Sequence, residues 1–490
     1  MFRRFVRNGC YRDCTDCWSE GTGNNMNVFP RAGEINDVLE LATSNGAEFA
    51  ELFFENRQTK SILLEDRRAE KILSGRDAGF GLRIVTSGST AYGYSNVISA
   101  EEMMRLCRDV LDGVNGGKGD FVLHGKMKKG RAGKIEVPAE KVSLEDKVDI
   151  AFDADRIARG TSEEIAQVSV RYGESLQYVE IFNSKGVSVG DERRQILFNI
   201  TVVASDGSDL QSAYRSVGGR KGYEFLSAEL IEKLAREASA GAVRILKAPR
   251  VSGGIMKVVL GSEAGGTMVH EAIGHGLEGD SVAKEQSVYT GRMGKMVASE
   301  LVSVVDDATL EGKRGSYIFD DEGQPALKTL LVDKGVLKGY MHSSQSAEKL
   351  GTSSTGNARR QSFRYRPIVR MSNTMIVPGE DDADSIISSV EDGLYVARMG
   401  GGQVDTSTGD FVFKVNEGYM IKKGKLGSPV RGATLIGNGP KILTQIDMVG
   451  DDPGFDIGSC GKDGQVVPVS DAQPTLRIPS ITVGGEAQVR

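Results

Sequence analysis

Apolar residues recur with a helical period where the regular part of the chain begins. Ile35, Val38, Leu39 and Ala42 stand at i, i+3, i+4 and i+7, and Gly46 follows as a stop, which predicts an amphipathic helix. The segments EFAELFFEN, KSILLED and FGLRIVTSG come next, short, rich in Phe, Leu, Ile and Val, and read as strands. Ser99 with Glu102 forms a capping-box pattern ahead of Met103, Met104, Cys107, Val110 and Leu111, so a second helix is expected, with Cys107 a core thiol. Ser143 opens a further helical run through Val148, Ala151, Phe152 and Ala154 to Ile157. A period of two then appears at Val168, Val170 and Tyr172 and again at Ile196, Phe198, Ile200 and Val202. A helix from about residue 228 to 246 ends at a break marked by Pro249, Gly253 and Gly254.

The second half has a different texture. MKVVL, LVSVVDD, KTLLVDKG, YVARMG, DFVFKVNEGYMI, ATLIGNG and LRIPSITVGG are short strand candidates separated by Gly-containing turns. The expected fold class is α+β. An N-terminal domain, residues 30–248, mixes helices with antiparallel sheet, and a C-terminal β-rich, barrel-like domain, residues 249–490, carries one functional helix. Residues 1–29 are expected to be a disordered tail, with Met26 a plausible true start.

Composition narrows the function. The chain has 490 residues, more than one core usually serves, and 62 glycines, well above the usual share of about 7%. A net charge of −6, with no basic stripe beyond Lys126, Lys128, Lys129 and Arg131, argues against nucleic acid as partner. No stretch approaches the roughly 20 apolar residues that span a bilayer, and the N-terminus lacks the apolar core of a secretory signal, so a cytoplasmic protein is expected. Five cysteines cannot build a disulfide framework. Cys10, Cys14 and Cys17 have the C-x3-C-x2-C spacing of radical iron–sulfur loops, but Asp16 stands where those loops carry an aromatic residue and no run of βα units follows.

Only four histidines occur, and two of them flank one glutamate in IMKVVLGSEAGGTMVHEAIGHGLEGD. A strand is followed by a Gly-rich turn and then a helical segment with His270, Glu271 and His275. The zincin pattern is H-E-x-x-H, two imidazoles one turn apart; here it is H-E-x-x-x-H. Residues five apart on a regular α-helix differ by about 140° in direction, so both rings reach one ion only if the helix is distorted or ending. A π-bulge would bring them together, with Gly274 and Gly276 supplying backbone freedom. A catalytic zinc takes three protein ligands. His124 lies beside a basic stretch and His342 at an expected strand end, so both are poor third ligands. Cys460 fits better, in FDIGSCGKDGQ, between glycines that let a loop approach a metal. The alternative, a buried apolar thiol, suits so polar a flank less well.

HEAIGHGLEGD, with GGGQVDTSTGDFVFKVNEGYMI, RGATLIGNG and GSCGKDGQVVPV in the same order, resembles the TldD/PmbA family of cytoplasmic metallopeptidases over roughly residues 30 to 490. The resemblance is to the subunit type that keeps the histidine pair. It implies Zn2+ held by His270, His275 and Cys460, Glu271 as catalytic base on a zinc-bound water, and hydrolysis of unfolded or extended peptides. It also implies a homodimer, or a heterodimer with a PmbA-type sister subunit, enclosing a chamber where peptide is bound as an added strand. The Gly-rich run Gly400, Gly401, Gly402, Gln403 and Asp405 is then the candidate peptide-pairing edge, the alternative being a tight turn. Asn357, Arg359 and Arg360 fall in another family-like segment, TGNARRQSFRY. The arginines could hold a peptide carboxylate or form a solvated surface pair. The competing function is a non-catalytic peptide-binding or chaperone-like subunit with a structural metal.

Overall fold

The computed structural model describes residues 29–86, 89–114, 119–124, 126–130 and 133–485. The expected tail, with Cys10, Cys14, Cys17 and Met26, lies outside the described residues. The architecture is α+β, as expected. Helix Ala32–Ser44 buries Ile35, Val38, Leu39 and Ala42, and Gly46, at φ 128°, turns the chain away in the left-handed region. Helix Ala100–Leu111 begins at Ser99, whose Oγ accepts from the Glu102 N–H at 3.2 Å. The reciprocal half of the expected capping box is not made, because the Glu102 carboxylate takes the Arg105 guanidinium at 2.7 and 2.8 Å instead. Helices Leu144–Arg159 and Ala228–Lys247 start at Ser143 and Ser227, each accepting a backbone N–H from the first turn.

Among the described residues the first half forms a seven-stranded, largely antiparallel sheet. Strand Phe49–Glu65 lies between Arg68–Thr86 and Ile165–Asn183, and Ser188–Ser205 and Leu210–Gly219 extend the sheet. The period-two residues Val168, Val170, Tyr172, Ile196, Phe198, Ile200 and Val202 are buried against Ala151, Ala154, Ile231, Leu234 and Ala235 of the last two helices. Alternation also sorts the strand Phe49–Glu65. Ala50, Leu52 and Phe54 pack with helix Ala32–Ser44. Glu51, Phe53 and Glu55 face the other way, where Phe53 meets Phe363 of the second half and Glu55 accepts the Phe363 N–H at 2.7 Å.

In the second half, strands Gly254–Leu260, Leu476–Gly484, Thr434–Asn438, Asp410–Lys422 and Asp392–Val404 pair in that order. The last, Asp392–Val404, also pairs with the first, Gly254–Leu260, and closes the ring into a five-stranded barrel. Beside it stands a six-stranded sheet whose edge strand, Gly454–Lys462, pairs with Gln465–Gln473. One core spans barrel, sheet and the segment between Ala264 and Leu277, so that segment is clamped on both sides. No helix among the described residues is long and apolar enough to cross a membrane.

Candidate metal centre

The barrel strand Gly254–Leu260 leads into a turn at Gly265, φ 74°, and then into a short helix whose winding changes residue by residue. Thr267–Val269 is α-helical, His270–Gly274 is π-helical, and His275–Leu277 tightens to a 3-10 turn. The His275 N–H donates to the His270 carbonyl, five residues back. The wider π turn removes the angular offset that five-residue spacing has on an α-helix and puts both imidazoles on one side. Their ring centroids are 4.9 Å apart, with planes at 89°.

Cys460 meets them from the edge strand. Its Sγ is 3.5 Å from His275 Nε2, and one ligand atom from each of the three residues lies within 4.8 Å of the others. No other group of three or more His, Cys, Asp or Glu converges this closely among the described residues. A tetrahedral ion with bonds of about 2.3 Å to sulfur and 2.05 Å to nitrogen would hold those two atoms about 3.6 Å apart. The donor set therefore fits zinc.

Each histidine turns its other nitrogen toward a carboxylate. His270 Nδ1 is 2.8 Å from Asp471 Oδ1, and His275 Nδ1 is 3.0 Å from Glu278 Oε2. Burial pushes the Cys460 thiol up, but its contacts with His270 and His275 outweigh that and hold it down at about 5. It is therefore a thiolate at neutral pH, the form that ligates metal. Burial likewise disfavours charge on His275, yet Glu278 and Cys460 raise it to about 9. Binding an ion would displace the imidazole protons more than a thiol proton. Glu271 is partly exposed. Burial raises its carboxyl above the usual range, against the pull of His270 and His275.

Two sequence expectations about this centre change. Cys460 is not in a loop: it lies in strand Gly454–Lys462 opposite Val467 and is 3% exposed. The fully buried Arg370 donates to the carbonyls of Cys460 and of Gln465. Ladder and guanidinium, not flexible glycines, bring the thiol in. Gly274 also does not serve backbone freedom, since its φ of −54° and ψ of −57° are ordinary helical values. It serves closeness: a Cβ there would lie 2.2 Å from Met371 Sδ, and one at Gly276 would lie 2.6 Å from the Tyr289 ring. Sequence reasoning missed Asp471, Glu278 and Arg370. Glu278 had a local signal, an acidic residue three positions after His275, whereas Asp471 stands 201 residues from its histidine.

The remaining candidates lie elsewhere. His124 is held by Asn36 Oδ1 at 2.7 Å and the Asn183 carbonyl at 2.8 Å, and His342 Nδ1 is 3.2 Å from Ser346 Oγ. Asn357 donates to Asp306 at 2.7 Å, and Arg359 to the carbonyls of Met371 and Pro468 at 2.6 and 2.7 Å. Arg360 donates to Glu51 at 2.6 Å. Both arginines are buried, so neither belongs to a solvated surface pair. Gly400, Gly401, Gly402 and Gln403 are in strand Asp392–Val404, not in a tight turn, and Asp405 follows it. That strand pairs with Gly254–Leu260 only through residues 393–396. From 397 to 404 it pairs on one side only among the described residues, with Asp410–Lys422, and its other edge is open.

Comparison with known proteins gives a consistent picture. Models of the PmbA/TldA metallopeptidase domain 1, central domain and C-terminal domain match residues 50–112, 137–246 and 253–485. A Haemophilus influenzae protein named metalloprotease TldD homolog is 36% identical over 461 residues, covering 92% of this chain and 95% of that one. A Saccharolobus solfataricus protein named zinc metalloprotease TldD homolog is 26% identical over 91% of this chain and 99% of its own. The fold matches that of TldE from Thermococcus kodakarensis with a TM-score of 0.73 at 17% identity, covering 92% of this chain and 100% of that one. With family models matching across both halves, and a His270, His275 and Cys460 cluster that could hold a metal, this chain belongs to the PmbA/TldA metallopeptidase family.

Proposed function

We propose that this chain hydrolyses peptide bonds in unfolded or extended peptides, with Zn2+ held by His270, His275 and Cys460 and with Glu271 as general base. The observation that carries the reading is the π turn that brings His270 and His275 to the Cys460 thiol. When bound, zinc supplies a Lewis acid that polarises the scissile carbonyl and lowers the pKa of a water toward about 7. Asp471 and Glu278 accept the Nδ1 protons of the two histidines, which fixes the tautomer and turns each Nε2 inward. Glu271 accepts no hydrogen bond from any described residue, so its carboxylate is free to take a proton from water and give it to the leaving amine.

Substrate, in this proposal, lies along the open edge of residues 397–404, pairing with the backbone at Gly401, Gly402 and Gln403 beside Asp405. Backbone pairing reads chain conformation more than side chains, which favours broad specificity and excludes folded proteins. Asn357 and Arg359 complete the proposed substrate-binding set, with their side chains held by hydrogen bonds to Asp306 and to the carbonyls of Met371 and Pro468. We place the domain division at residues 248–254, between the helix ending at Lys247 and the barrel strand beginning at Gly254. The assembly proposed is a homodimer, or a heterodimer with a PmbA-type sister subunit, in the cytoplasm.

The test is cleavage of an unstructured peptide by the purified chain, alone and with any sister subunit from the same genome. Chelation should abolish cleavage, and zinc should restore it. Undiminished cleavage by protein shown to be free of metal would overturn the proposal.

A further inference from the structure

The two histidines have carboxylate partners in unlike settings. Asp471 reaches His270 with no lysine or arginine of the described residues in salt-bridge contact, whereas Glu278 shares its Oε2 between His275 Nδ1 at 3.0 Å and the Lys462 ammonium at 3.1 Å. Glu278 is 1% exposed, and its other oxygen, Oε1, has no hydrogen-bond partner among the described residues. Both of its ionic contacts among the described residues therefore converge on Oε2. Lys462 also reaches Asp280 at 2.7 Å and the Val369 carbonyl at 3.2 Å, which uses its three protons. Lys462 is two residues beyond Cys460 on the same strand. Alternation sends both side chains to one face, so the lysine and the thiol approach the helical segment together.

We propose that Lys462 is a positioning residue of the metal centre, an ionic clamp that ties the Cys460 strand to Glu278 and so holds the thiol and His275 in register before an ion arrives. The inference rests on the proposed zinc ligands. Among the described residues the strand Gly454–Lys462 is an edge strand, with ladder bonds on one side only, and needs a second anchor to hold a ligand to the tolerance that a tetrahedral site requires. The Lys462 ammonium is that anchor on the side chain's face, while Arg370 holds the Cys460 carbonyl. Lys462 shares with His275 the task of offsetting the buried Glu278 charge, without entering the coordination sphere.

The experiment measures zinc affinity by chelator competition on the full chain, for wild type and for Lys462→Met, Lys462→Arg, Glu278→Gln and the Lys462→Met/Glu278→Gln pair. Loss of a group that orients a ligand costs about 10- to 100-fold in metal affinity. Lys462→Met should lose that much, Lys462→Arg should recover most of it, and the double variant should be no weaker than the worse single one, because both act on His275. Thermal unfolding of the zinc-free proteins separates misfolding from a site effect, since Lys462→Arg keeps the buried charge whatever happens to Lys462→Met. Replacing zinc with Co2+ gives a second readout: the thiolate-to-cobalt absorption should shift or weaken in Lys462→Met. Wild-type affinity and an unchanged cobalt spectrum in Lys462→Met would overturn the clamp, as would strictly additive losses in the double variant. If wild type itself binds no zinc, the ligand assignment fails and not the clamp alone.

Discussion

Replacing Glu271 by Ala leaves the zinc in place and lowers peptide cleavage by a factor on the order of a hundred or more, the effect expected for loss of a general base. The expectation follows from position and surroundings. Glu271 sits between His270 and His275 in sequence, yet it is not one of the three residues whose side chains converge. No described hydrogen bond or ion pair occupies its carboxylate, and burial pushes its proton affinity up from that of an ordinary glutamate. A carboxylate at once poised and uncommitted can accept a proton reversibly, whereas Asp471 and Glu278, tied to histidines, cannot do so without losing the tautomer they enforce. Metal content and binding of an extended peptide should both match wild type in Glu271→Ala. Zinc loss in that variant would make Glu271 a ligand and put Cys460 in doubt. Cleavage at the wild-type rate would leave the family metal as a structural feature of a peptide-binding subunit.

Glu51→Ala is expected to destabilise the protein by about 3–5 kcal/mol, the usual cost of removing one partner from a buried ion pair. Glu51 is fully buried and accepts from Arg83 at 2.8 Å and from Arg360 at 2.6 Å. Arg83 belongs to the sheet of the first half, Arg360 to the second half. Arg83 keeps Glu322 at 2.6 Å after the substitution, but Arg360 keeps only backbone and weaker side-chain partners for a guanidinium that water does not reach. The urea unfolding midpoint should fall well below that of Glu51→Gln, which keeps an acceptor oxygen. An unfolding free energy within about 0.5 kcal/mol of wild type, the range of an ordinary surface change, would show that this charge cluster does not hold the halves together.

Local pattern made much of this legible. The helical spacing of Ile35, Val38, Leu39 and Ala42 and the alternation from Val168 to Tyr172 report which face is buried, and burial follows directly from them. The π turn could be read as well, because two ring ligands five residues apart have few other ways to share an ion. The glycine-flanked, polar surroundings of Cys460 look like a loop, and only pairing with Gln465–Gln473 shows an edge strand. Closure of the barrel depends on partners far apart in the chain, such as Gly254–Leu260 with Leu476–Gly484, and no local period encodes that. The charges that join the halves were opaque for the same reason. Arg360 reads as a surface residue until Glu51, 309 positions away, is found beside it.

The central claim, one zinc ion bound by two imidazoles and one thiolate, is tested most directly by zinc X-ray absorption on the purified protein and on Cys460→Ser. Wild type should show one zinc per chain, with one sulfur at about 2.3 Å and nitrogen or oxygen neighbours at about 2.0 to 2.1 Å. The sulfur shell should vanish in Cys460→Ser together with most of the bound metal. A wild-type spectrum with no sulfur neighbour, or an unchanged sulfur shell in Cys460→Ser, would contradict the assignment.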